Sequence, residues 1–230
     1  MTNQSVETPE IEALGEVAVG KTEQFFEENG KKVVIAIASI VVVAAAIFGY
    51  KALVIDPAED RAAEAIYNAQ TIFESATPDY QLALNGSGEY AGFLEVVENF
   101  GSTASGNLAN HYAGICYLQL GDYTKAAKHL KAYKAQKGVP AAIINAQNIG
   151  LQGDIAVEEG NYKAAVTLFT KASEISDNTL TAPTYLRKAA QAAQAAGLKS
   201  EATVLYEKVI ALYPSSMEAR NAAKSLGTIK

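Results

Sequence analysis

At 230 residues and 24.3 kDa, with 49% apolar residues, the chain has room for one ordinary domain plus an accessory segment. A net charge of −6 and a pI near 5.1 argue against the basic face that a nucleic-acid partner needs, and a single cysteine, Cys116, excludes an intrachain disulfide and a CxxC zinc or redox site. Abundant Ala and Tyr, six Pro and no Trp point to packed helices, an all-α fold.

Residues 1 to about 20 are acidic with few large apolar side chains, which predicts a solvated tail. Lys21 to Asn29, KTEQFFEEN, adds a short amphipathic helix along a membrane surface, with Phe25 and Phe26 dipping in and Asn29-Gly30 ending it. These parts make up residues 1–32. Residues 33–50 carry no charge, and Ser39 is their only polar side chain before Tyr50. As a helix they cover roughly 27 Å, close to the hydrocarbon thickness of a bilayer. A buried globular helix usually keeps a polar side. A cleaved signal peptide would need a charged region of 32 residues and a shorter apolar one. The stretch therefore reads as a retained transmembrane helix, with Lys31, Lys32 and Lys51 snorkelling to the headgroups and Tyr50 at the interface. Lys21, Lys31 and Lys32 precede it and Lys51 and Arg61 follow, a balance that places the N-terminus inside and the long C-terminal part across the membrane.

Asp56-Pro57 predicts a helix break, and residues 57–230 form a repeat array. GICYLQLGDYTKAAKHL (114–130), GDIAVEEGNYKAAVTLF (153–169) and AAQAAQAAGLKSEATVLY (189–206) align on the turn glycines Gly121, Gly160 and Gly197. Each unit reads helix, short turn, helix. A small residue lies seven before the turn (Gly114, Gly153, Ala190) and an Ala five after it (Ala126, Ala165, Ala202), as close helix crossing demands. Tyr117, Tyr123, Leu130, Tyr162, Leu168, Phe169, Leu205 and Tyr206 are the expected core. The units fall at about 107–140, 146–179 and 183–214, with Pro214 closing the last and a capping helix over 216–226. A degenerate unit, 57–104, precedes them, with helices Arg61 to Phe73 and Glu89 to Phe100 joined by the long link SATPDYQLALNGSG. The spacing of 39 and 37 residues resembles the tetratricopeptide period with longer links, which implies an α-solenoid.

The stretch EQFFEENGKKVVIAIASIVVVAAAIFGYK followed by DRAAEAIYNAQ resembles the YfgM-like family, ancillary subunits of the SecYEG translocon. Its most specific piece is FFEENGK, residues 25–31, directly before the span; the longer acidic N-terminus and the link near 75–88 depart from the family. The resemblance implies a bacterial inner-membrane protein, cytoplasmic at its N-terminus, whose periplasmic repeats work beside the translocon and a membrane-anchored prolyl-isomerase-like chaperone.

Catalytic chemistry finds no support. His111 and His129 lie on different helices with no ligand partners at metal spacing, and no phosphate-binding glycine motif follows a strand pattern. Cys116 reads as a small core residue, since no activating base accompanies it. The chain reads as a non-enzyme without metal, cofactor or small-molecule substrate. Lys125, Lys128, Lys131, Lys134 and Lys137 recur every third residue, a spiral strip that suits a soluble outer surface or contact with acidic headgroups or an acidic partner. In stacked units the first helices line the groove, which by spacing places His111, Ile115, Gln119, Asp154, Glu158, Arg187, Gln191 and Gln194 there as a candidate peptide-binding surface. His129 reads as solvated. The expected function is a membrane-anchored interaction module for translocon subunits and emerging secreted chains; a periplasmic holdase chaperone and a structural adaptor of an envelope complex are the alternatives.

Overall fold

A computed structural model describes residues 9–229, with the side chains of Glu27 and of 29–229. Its elements are α1 (Pro9–Tyr50), a π-type turn (Lys51–Ile55), α2 (Asp56–Phe73), α3 (Tyr80–Asn85), α4 (Phe93–Phe100), α5 (Ala104–Gln119), α6 (Tyr123–Ala132), α7 (Val139–Glu158), α8 (Tyr162–Ile175), α9 (Ala182–Ala195), α10 (Lys199–Leu212) and α11 (Met217–Ile229). Among the described residues no strand forms. The chain divides into two compact units, Met1–Pro57 and Ala58–Lys230.

In the first unit, the stretch 9–20 that composition assigns to a solvated tail is helical. Pro9 at the first helical position and Glu10 and Glu12 behind it suit a helix start, a local signal independent of core-forming residues. The expected stop at Asn29-Gly30 is also absent. A helical glycine costs about 1 kcal/mol relative to alanine, too little to end a helix that continues for twenty residues. The side chains of Phe25 and Phe26 lie outside the described residues. Val34, Ile35, Ile37, Ile40, Val41, Val42, Val43, Ile47 and Phe48 are all exposed. This helix is long and apolar enough to cross a membrane. Ser39 Oγ donates to the Ile35 carbonyl at 2.8 Å and so needs no external partner. Asp56-Pro57 does not break the helix. The Asp56 N–H reaches back five residues to the Lys51 carbonyl, and this wider turn makes room for the proline ring that a regular turn would clash with.

The second unit is a series of helical hairpins, α5–α6, α7–α8 and α9–α10, with α2 to α4 before them and α11 packed on α10 after them. The three hairpin turns repeat one hydrogen-bond pattern. In the first, Gly121 N–H donates to the Leu118 carbonyl at 3.1 Å and Asp122 N–H to the Tyr117 carbonyl at 2.9 Å; Gly160–Val157 with Asn161–Ala156, and Gly197–Gln194 with Leu198–Ala193, follow suit. This is a Schellman closure, which requires the left-handed backbone found at Gly121 (φ 80°), Gly160 (φ 72°) and Gly197 (φ 76°). Asp122 and Asn161 then cap the next helix, accepting from Lys125 and Ala164 N–H.

Beyond each turn the helices cross at the small pairs. A Cβ on Gly114 would come within 2.6 Å of Leu130, and one on Gly153 within 2.7 Å of Phe169. Ala126, Ala165, Ala190 and Ala202 are fully buried. Of the expected core, Leu130, Phe169, Leu205 and Tyr206 are buried and Tyr117, Tyr123, Tyr162 and Leu168 pack at its margins. The link after α2 is not a loop throughout. Asp79 caps α3 by accepting from Leu82 N–H at 2.9 Å, and α3 inserts Ala83 and Leu84 into the cluster around Phe93 and Val96. Gly86 and Gly92 then cross backbone to backbone, and the following helix starts only at Phe93.

Candidate functional site

The site is built on α7 and α9, the first helices of the second and third hairpins. Asp154 on α7 and Lys188 on α9 face one another, Lys188 Nζ donating to both carboxylate oxygens at 2.8 and 2.9 Å while it lies 5.4 Å over the Phe169 ring. Both side chains are one-third exposed, so the pair contributes at most about 1 kcal/mol to stability and stays accessible. Two open clefts flank it. One, of about 230 Å³, is walled by Val157, Ala192, Ala195 and the Tyr162 and Phe169 rings, with Gln191 at its lip. The other, of about 240 Å³, is formed by Leu151, Leu180, Tyr185 and the polar Gln147, Thr181 and Thr184. Tyr185 packs where Gly150 leaves no Cβ, and burial, then the Asp154 charge, pushes its hydroxyl up to about 12, so it is a neutral donor at physiological pH. The arrangement offers apolar recesses on either side of a fixed donor and acceptor, suited to successive side chains of a polypeptide and the amides between them.

Of the residues placed in the groove by spacing, Asp154 and Gln191 share the first cleft. Arg187 Nη1 donates to Gln191 Oε1 at 2.9 Å. Gln194, exposed, accepts from the Tyr206 hydroxyl at 3.2 Å; Glu158, exposed, accepts from the Tyr123 hydroxyl at 3.4 Å; Gln119 is exposed on α5. His111 and Ile115 do not belong to an open surface. They are 2% and 8% exposed, because α7 lies against that face of α5: His111 Nε2 donates to Gln147 Oε1 at 3.3 Å and its Nδ1 accepts from Asn148 Nδ2 at 3.2 Å. Spacing from the turns does not point to Lys188, although it lies 34 residues after Asp154 with the opposite charge, a signal that reading each repeat separately passes over.

Three further expectations change or sharpen. His129 is not simply solvated: its Nδ1–H donates to Asn110 Oδ1 at 3.1 Å and its ring stacks on Tyr117. Lys134 and Lys137 fall beyond the end of α6, so the helical lysine strip is Lys125, Lys128 and Lys131. Cys116 is fully buried and burial pushes its thiol up to about 12, which removes it as a nucleophile. Among the described residues no three metal-ligating side chains converge.

Hairpins with one repeated turn, crossing at small residues, define an α-solenoid, a class that holds other proteins. Residues 109–136 and 185–216 match the tetratricopeptide repeat model, so the chain carries tetratricopeptide repeats and with them a protein–protein interaction module. Among solved structures, a Podosopora anserina protein described as a kinesin light chain with nearly identical TPR-like repeats aligns at a TM-score of 0.49 and 16% identity, over 76% of this chain and 84% of that one. No curated protein matches significantly.

Proposed function

We propose that residues 33–50 anchor the chain in a membrane and that the α7–α9 face holds polypeptide partners there without transforming them. The observation that carries this is the pair of open clefts sharing Asp154 and Lys188 on the α7–α9 face of a tetratricopeptide array. Anchoring raises the local concentration of such a face beside any membrane complex. The FFEENGK segment before the span and the flanking lysines support the finer reading: a bacterial inner membrane, repeats in the periplasm, and translocon subunits, a periplasmic chaperone and emerging secreted chains as partners. A photo-crosslinking residue at Gln191 in the full-length protein in intact cells tests it. Adducts with translocon subunits or secreted chains are expected, and adducts to neither remove the translocon reading.

A periplasmic holdase is the second reading, favoured by one pattern. Ile143 on α7, Leu180 in the link before α9 and Met217 at the start of α11 recur every 37 residues and are 42%, 76% and 63% exposed. Exposed apolar side chains recurring along the array suit non-selective capture of unfolded segments. Suppression of client aggregation by the full-length protein in detergent supports this reading; no effect at equal stoichiometry counts against it.

A further inference from the structure

The apolar interior of the second unit narrows in its middle. One large cluster runs from Ile66 to Cys116 and another from Ala156 to Ala222, and between them a small one, touching the first through Tyr117, sets Ala126 and Leu130 of α6 against Ile155 of α7. The seam between α5 and α7 is instead polar and buried, with Asn107, Asn110, His111 and Asn148 all under a tenth exposed. Its hydrogen bonds run in one direction. Gln152 Nε2 donates to Asn148 Oδ1 at 2.9 Å, Asn148 Nδ2 donates to His111 Nδ1, and His111 Nε2–H donates to Gln147 Oε1. On the α6 side Asn107 exchanges two bonds with the Lys134 backbone, at 2.7 and 2.8 Å.

In this arrangement His111 is the neutral Nε2–H form. A second proton on Nδ1 would point at the Asn148 amide nitrogen, itself a donor; accepting it requires Asn148 and Gln152 to turn over together, and the imidazolium would still be 2% exposed, with only uncharged amides as its partners. From the segment after α6, Tyr133 packs on the imidazole at 5.5 Å with its hydroxyl bonded to Asn145; Tyr112 lies at 5.8 Å on α5 itself. From α7 the facing groups are the uncharged Gln147 and Asn148, and among the described residues no carboxylate is bonded to the ring. His129 differs. It donates through Nδ1 and keeps that bond when its other nitrogen is protonated.

We propose that the α5–α7 seam is an acid-operated joint: a proton on His111 Nδ1 opens the contact between the α2–α6 half and the α7–α11 half, while each half keeps its own core. Burial, only partly offset by the Gln147 bond, lowers the His111 pKa from 6.5 to about 4 in the closed seam. The folded value is depressed, so the closed form is fully favoured above pH 6.5 and loses ground as pH falls from there towards 4. By linkage the open form gains about 30-fold at pH 5 and about 300-fold well below pH 4.

The test uses the full-length protein in detergent micelles with pairs of spin labels; buried Cys116 leaves engineered cysteines as the reactive sites. Labels on Glu98→Cys and Lys208→Cys span the joint, and labels on Lys163→Cys and Lys208→Cys lie within one half. Between pH 6.5 and 4 the spanning distance distribution is expected to broaden while the control stays narrow. His111→Gln abolishes the change. Asn148→Asp supplies a carboxylate to the protonated ring, so the joint stays closed and the His111 resonance titrates above 6.5; this variant keeps the test decisive even if the first does not fold. The proposal is overturned by parallel broadening of both pairs, by a transition that survives either substitution, or by an unchanged spanning distance once NMR shows His111 protonated.

Discussion

Gly153 and Gly227 are both helical glycines, and their surroundings give opposite outcomes on substitution. Replacing a helical glycine with alanine gains up to about 1 kcal/mol of propensity. At Gly227 nothing lies within 4 Å of the added methyl, so Gly227→Ala is expected to raise the midpoint of urea unfolding. At Gly153 the methyl meets the Phe169 ring at 2.7 Å, and Phe169 is itself buried and pinned. The strain of overpacking, about 1–3 kcal/mol, then exceeds the propensity gain, and Gly153→Ala lowers the midpoint. The small-residue positions were legible in the sequence because spacing from the turn repeats three times. The environment of His111 was not. A histidine at a groove position looks the same whether the neighbouring helix stands clear or lies upon it, and the partners that bury it, Gln147 and Asn148, come from 36 and 37 residues away.

Among the elements, α5 depends on a residue distant in sequence. The Glu59 carboxylate accepts from Ala104 N–H at 2.7 Å and from both Ser105 N–H and its hydroxyl, at 2.9 and 2.7 Å, adding to the Thr103 cap at the start of α5. Burial pushes its pKa up, but the bonds from Ser105 and Ala104 outweigh that and hold it below 4.5. The stabilisation is therefore complete above pH 4.5 and is lost as pH falls through the folded value. Glu59→Gln should cost about 0.5–1 kcal/mol in unfolding experiments at pH 7, with the difference from the parent narrowing under acid conditions. No local signal marks this cap, since 45 residues separate donor and acceptor. For the same reason α3 was hidden: six residues between ESATPD and the glycine-containing GSG have no helical period to read, and beyond the Asp79 cap it is insertion of Leu84 beside Phe93 that makes them a helix.

At the scale of the whole molecule, the long apolar helix and the repeats were each legible because each rests on a long-range regularity, unbroken apolarity in one and a fixed spacing in the other. What lies between the repeats was hidden, since polar residues that join helices and polar residues that face water have the same composition. Val42→Arg places a charge in the middle of the apolar stretch, where insertion costs about 2.5–3.5 kcal/mol. A fall in the carbonate-resistant fraction is the expected result, and full retention would show that the stretch is held by something other than lipid. The threefold turn has one more consequence. Because Glu159 and Ala196 stand at equivalent points of two identical closures, residues 160–196 form a removable cassette. Excising it joins chemically matched ends and sets Tyr206 where Phe169 had been, so the array can lengthen or shorten by whole modules without inventing a new junction.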